Sequence, residues 1–128
     1  MIFRYTILYV QDVPATLALF ETAFGFKTAF LHESKDYGEL DTGQTKLAFS
    51  SIELMEQLGK SPATKPVKQP SFEIAFETGD VAAALTKAVK AGLELVQDVT
   101  EMPWGQTIAY VRLSEGVLIE ICTPVQAP

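Results

Sequence analysis

At 128 residues, with 48% apolar and 20% charged side chains, the chain is long enough for one packed domain and too apolar for extended disorder. Sixteen acidic residues against ten basic ones leave a formal charge of −6, without the cation excess that a phosphate backbone rewards, so nucleic acid is not an expected partner. The lone cysteine, Cys122, rules out an internal disulfide, no Cys/His spacing indicates a zinc site, and no apolar run nears a membrane span, so a soluble cytoplasmic protein is expected.

In chain order, RYTILYVQDVPATLALFETAFGF reads as a β-rich run, then Asp12 as a helix cap with Pro14 in the first turn, then Leu17, Phe20, Ala23 and Phe24 at helical spacing. Strand-like runs KTAFLHES, YGELDTG and TKLAFSS follow. The stretch from Ile52 to Leu58 predicts a short helical turn, and about 53–70, rich in Pro, Lys and Gly, reads as an exposed linker. Lys60, Lys65 and Lys68 are expected to solvate that linker, with too little charge for an anion site.

FEIAFETGDVAAALTKAVKAGLEL then repeats the opening: a strand, Asp80 as cap, apolar Val81, Ala84, Leu85, Ala88 and Val89, and Gly92 at the helix end. An offset of about 68 residues lays Asp12 on Asp80, Val13 on Val81 and Leu17 on Leu85. LELVQDV, QTIAYVRL and VLIEICTP complete the second half, and the turns Asp41-Thr42-Gly43 and Ser114-Glu115-Gly116 fall at matching places. The sequence therefore predicts an α+β fold of two βαβββ modules, about 1–52 and about 71–128, with helices covering the outer faces of mixed or antiparallel sheets. No GxSxG, GxGxxG or GxxxxGK[ST] motif occurs.

The opening TILYVQDVPATLALFETAFGF, the second EIAFETGDVAAALTKAVKAG and the closing PWGQTIAYVRLSEGVLIEICTP resemble the vicinal oxygen chelate superfamily, which includes glyoxalase I, bleomycin-resistance proteins, fosfomycin-resistance enzymes and extradiol dioxygenases. The resemblance spans nearly the whole chain. It implies modules curled into half-open β-barrels, a ligand inside the concave sheet, and frequent pairing of modules across a dimer. In metal-using members the ligands stand on the first and last strand of each module. Those positions fall here on Tyr5 and Glu73, on Glu120, and on Leu47 or Ala48. Only two of the four are carboxylates, and the single histidine, His32, lies in a second strand away from them, so the resemblance implies no metal ligands and no cofactor, with a divalent metal as the alternative.

Strand alternation sorts the faces. Phe72, Ile74 and Phe76 are expected under the helix, which turns Glu73, Ala75 and Glu77 to the concave side; the repeat puts Tyr5, Ile7 and Tyr9 on the matching side of module one. Glu120 is the only charge in VLIEIC, where burial makes a charge costly unless it is paired or used. Glu73 and Glu120 are thus the candidate catalytic residues. Tyr5, Ile7, Tyr37, Glu39, Phe49, Trp104 and Tyr110 are the candidate ligand-binding residues, Trp104 for stacking with its N–H fixing orientation. Cys122 reads as a small core residue.

Three functions compete on this reading. The first is a metal-free small-molecule-binding protein of the bleomycin-resistance type, a homodimer with no membrane or nucleic-acid partner. The alternative is a glyoxalase-like lyase or isomerase using a divalent metal and Glu73 or Glu120 as general base. A structural or interaction module stands third, because carboxylates inside a barrel are costly to keep without use.

Overall fold

The computed structural model describes residues 1–125; the last three residues of the second module, as read from the sequence, lie outside them. The described chain forms two compact units, Met1–Lys65 and a second beginning at Pro66. In the first, β1 (Tyr5–Val10), α1 (Val13–Phe24), β2 (Lys27–Leu31), β3 (Tyr37–Asp41) and β4 (Lys46–Ser51) are followed by a short α2 (Ile52–Gln57). In the second, β5 (Glu73–Glu77), α3 (Val81–Ala91), β6 (Glu94–Glu101), β7 (Thr107–Arg112) and β8 (Leu118–Cys122) repeat the βαβββ order.

Capping fixes both helix starts. Asp12 accepts a hydrogen bond from the Ala15 amide and Asp80 one from the Ala83 amide, each at 3.0 Å, so one orphan N–H of each first turn is satisfied by a side chain. Gly25 and Gly92 close the two helices, one position out of register with the 68-residue offset.

Each module is an open four-stranded sheet, ordered β1-β4-β3-β2 and β5-β8-β7-β6. The first strand runs parallel to the last, β1 with β4 and β5 with β8, and the other pairs are antiparallel. The first strand is therefore an edge strand whose one neighbour is the end of its module, which places residues from the two ends of each module side by side.

One face of each sheet is covered by a helix. In module one, Leu8, Val10, Leu40 and Phe49 are buried with Val13, Leu17 and Phe20 of α1. Gly38 lies beneath that helix, where a Cβ would stand 2.7 Å from Leu17 Cδ1 and 3.2 Å from Val13 Cγ1, so glycine is what allows the approach. In module two, α3 packs on β6, β7 and β8 through Val81, Leu85 and Ala88, against a sheet side that buries Ala109, Val111, Ile119 and Ile121. Ile74 and Phe76 share this face as expected, but Phe72 precedes β5 and stays exposed. The uncovered faces carry the polar chemistry.

Candidate functional site

Register alone assembles the site of module two. On β8, Leu118, Glu120 and Cys122 share the face opposite α3; β7 sets Arg112, Tyr110 and Ile108 against them, and β5 sets Ala75 beside Glu120 with Glu73 beside Leu118. The Tyr110 hydroxyl consequently lies 2.8 Å from Glu120 Oε2 and 2.9 Å from Glu73 Oε2. Burial, then the hydrogen bonds to Glu120 and Glu73, then their charges, drive the Tyr110 phenol well above its ordinary value, so it stands there as a proton donor. A phenol carries one hydrogen and can donate to one carboxylate at a time. Two formally anionic groups thus share a single donor. Cys122, buried beside Glu120, has its thiol pushed up to about 11 by burial and by the Glu120 charge and hydrogen bond, which makes it a poor nucleophile.

The same face of module one is balanced. The Tyr37 hydroxyl donates to Glu39 Oε2 at 2.8 Å, and Lys46 Nζ reaches Glu39 Oε1 at 3.2 Å. Both carboxylate oxygens are therefore met, with the Glu39 side chain only 12% exposed. Burial first, then the hydrogen bond and charge of Glu39, raise the Tyr37 phenol strongly. Tyr5 and Ile7 stand on the same face of β1 and are exposed, and the pairing of Ile7 with Ala48 settles the last-strand position on Ala48 rather than Leu47, which is buried on the helix side.

Glu73, Glu120 and Tyr110 are thus brought together in module two, and Tyr5, Ile7, Tyr37 and Glu39 share one face in module one. Two expectations need correction. Phe49 does not line a ligand face: it is 0% exposed and packs edge-on against Phe20 with ring centroids 4.9 Å apart, because β4 alternates Ala48 to one side and Phe49 to the other. Trp104 is exposed on the turn between β6 and β7, but its indole N–H is spent on Gln106 Oε1 at 2.9 Å, so only its ring is free to stack. His32, at the end of β2, accepts the Ser34 amide on Nδ1 at 3.1 Å. Sequence reasoning missed Lys46 and Arg112. Their signal was their spacing, two residues before Ala48 and two after Tyr110, which puts each on the site's face.

Residues 2–121 match the model of the Glyoxalase/Bleomycin resistance protein/Dioxygenase superfamily. The chain belongs to this superfamily. Among solved structures it is similar to a glyoxalase-related enzyme from Fulvimarina pelagi, at 22% identity and TM-score 0.81 over 94% of this chain and 86% of that one. It is likewise similar to a glyoxalase/bleomycin resistance protein/dioxygenase family enzyme from Burkholderia phytofirmans PsJN, at 24% identity and TM-score 0.80 over 98% of this chain and all of that one. TioX from Micromonospora sp. ML1 aligns at 21% identity and TM-score 0.71 over 96% of this chain and 98% of its own. At these identities the likeness shows the glyoxalase fold. No curated protein matches the chain.

Metal-using glyoxalase-superfamily members set the standard for a fit test. At the four positions assigned above, this chain supplies Tyr5, Ala48, Glu73 and Glu120, and the two carboxylates already face the Tyr110 hydroxyl. Among the described residues no three His, Cys, Asp or Glu side chains cluster so as to hold an ion. A divalent metal asks for about three such donors in fixed geometry, and this donor set does not fit one.

Proposed function

We propose that this superfamily member binds a small molecule carrying a cationic or hydrogen-bond-donating group against the β5-β8-β7 face, without a metal. The observation that carries the reading is the donor shortfall at Tyr110, where Glu73 and Glu120 converge on one hydroxyl. A ligand ammonium or amidine supplies the missing donors and offsets two negative charges, in a place where module one has already used Lys46 for the same purpose. Ala75 and Leu118 flank the cluster on the same face and give an apolar part of the ligand something to cover. A homodimer is the assembly proposed for the working protein, since each open sheet leaves edge strands that a symmetric partner can cover.

The test compares a protonated probe with its neutral isostere. Benzylamine is expected to raise the melting temperature in a concentration-dependent way, benzyl alcohol is not, and Glu73→Gln or Glu120→Gln is expected to weaken amine binding by about tenfold or more, roughly 1.4 kcal/mol. Equal response to both probes, or binding untouched by both variants, sinks the reading. The enzyme alternative keeps Glu73 or Glu120 as proton acceptor, and would show itself as turnover of a bound carbonyl compound that either Gln variant abolishes.

A further inference from the structure

Module two holds a second polar site, which meets the face of the Tyr110 cluster only at Arg112. A cavity of about 540 Å³ is lined by Val67, Lys68, Glu94, Arg112, Leu113 and Gly116 among others. Arg112 reaches Glu94 Oε2 through Nε at 3.1 Å, yet its Nη1 is buried and has no hydrogen-bond partner among the described residues. Lys68 forms no ion pair among them either. A buried guanidinium nitrogen without an acceptor is costly to leave so, and Arg112 is one of the residues that line the cavity.

Lys68 is not there by the accident of a loose loop. The Val67 amide donates to the Glu115 carbonyl at 3.0 Å, which ties the segment to the β7–β8 turn. Gly116 in that turn has φ +105°, and a Cβ on it would overlap the backbone of Val67, so the segment sits in a seat that admits only glycine. Pro66 stiffens the chain just before it.

Charge decides what the cavity takes. Arg112 and Lys68 contribute two positive charges and Glu94 one negative. The C-terminal end of α3 at Gly92 adds about half a negative charge. Among the lining groups themselves the balance remains positive, in a chain whose formal charge is −6, with Glu115 turned to the Ser114 hydroxyl at 2.8 Å. With Nε held by Glu94, the Nη1/Nη2 edge is what the guanidinium keeps for a two-oxygen anion, and Lys68 in the same lining adds a second positive charge. We infer that this cavity binds the oxyanion group of a small molecule, a carboxylate or a phosphate, between Arg112 and Lys68.

Backbone-amide NMR titrations at constant ionic strength, one with benzoate and one with inorganic phosphate, test it and tell the two sources apart. Saturable shifts are expected at the amides of Lys68, Gly92, Leu113 and Gly116, with a dissociation constant of about millimolar order for so small a probe. Lys68→Gln, on an exposed residue, is expected to weaken binding about fivefold or more, and Glu94→Gln to tighten it about threefold or more by removing the competing carboxylate. Arg112→Gln should abolish it; should that variant fail to fold, the two exposed-residue variants carry the decision. Shifts that stay linear with both anions, saturation mapping elsewhere in the chain, or an affinity unchanged in Lys68→Gln and Glu94→Gln overturns the inference.

Discussion

Glu39 and Tyr110 hold the same place in their respective modules. Glu39 faces Ala48 across the β3–β4 pair and Tyr110 faces Glu120 across β7–β8, while Ile7 and Ala75 meet those same last-strand positions from the other side. Two residues before Ile7 and Ala75 stand Tyr5 and Glu73. Phenol and carboxylate have therefore exchanged places between two copies of one backbone plan. Module one ends with a single carboxylate met by Tyr37 and Lys46, and module two with two carboxylates met by one phenol. That imbalance is why the proposed ligand is placed against module two.

Alkaline pH is expected to destabilise the fold, and Tyr110→Phe to blunt the effect. Tyr110, Tyr37 and Cys122 all have proton affinities raised on folding above their ordinary values of 10.0, 10.0 and 9.0. A raised value means the unfolded chain loses its proton first, so the stability these groups contribute is complete below those ordinary values and is lost as pH rises beyond them. Urea midpoints should hold level up to about pH 9, fall first through Cys122, and fall more steeply above 10.0 as the phenols join. In Tyr110→Phe the decline above 10.0 should be shallower; an identical slope removes Tyr110 from the account.

Phe49 and Trp104 should separate cleanly by stability. Phe49 has no exposed surface and meets Phe20 edge-on, so Phe49→Ala is expected to cost about 3–5 kcal/mol. Trp104 is 62% exposed on a turn, and Trp104→Ala should cost under about 1 kcal/mol. Denaturant unfolding of both variants checks the pair; a similar loss in each contradicts the placement of Phe49 in the core.

The error over Phe49 shows where sequence reading runs out. Helix positions were legible because Asp12 and Asp80 announce the caps and Gly25 and Gly92 the ends, and Glu73 and Glu120 were legible because charge interrupts an apolar strand. In Leu47-Ala48-Phe49-Ser50-Ser51 every residue is buried, so polarity gives no contrast between the faces and only the register with β1 and β3 assigns them. The Lys68–Arg112 cavity lay further out of reach, since it depends on one backbone hydrogen bond and one glycine seat joining segments distant in sequence.

Because the repeat extends to the caps, the two caps should be worth the same. Each aspartate accepts one amide at 3.0 Å on an exposed helix start, so Asp12→Ala and Asp80→Ala are each expected to cost about 1 kcal/mol. Chemical denaturation reads both; a loss confined to one variant would mean that the two helix starts are not equivalent.

Divalent metal is not expected to stay with the chain, since Tyr5 and Ala48 stand where the superfamily's metal-using members place ligands and Glu73 and Glu120 are only two. After dialysis, elemental analysis should find well under one zinc, nickel, iron or manganese per chain, and added metal should leave the melting temperature unmoved. Stoichiometric metal lost in Glu73→Gln and Glu120→Gln would reverse this expectation.

Gly116 and Gly43 offer the sharpest local comparison. Their φ values are +105° and +104°, so Ala at either position meets nearly the same backbone strain, worth about 1–3 kcal/mol. Around Gly43 there is open space, whereas a Cβ at Gly116 runs into the backbone of Val67. Gly43→Ala is therefore expected to lose stability through strain alone. Gly116→Ala should lose about 1 kcal/mol more, because either the turn or the Val67 segment must shift and the hydrogen bond to the Glu115 carbonyl goes with it. That shift also carries Lys68 away from Arg112, so Gly116→Ala should weaken benzoate or phosphate binding as Lys68→Gln does, while Gly43→Ala leaves it alone. Equal stability losses with anion affinity intact in both variants would show that the Val67 segment is not seated on Gly116 as described.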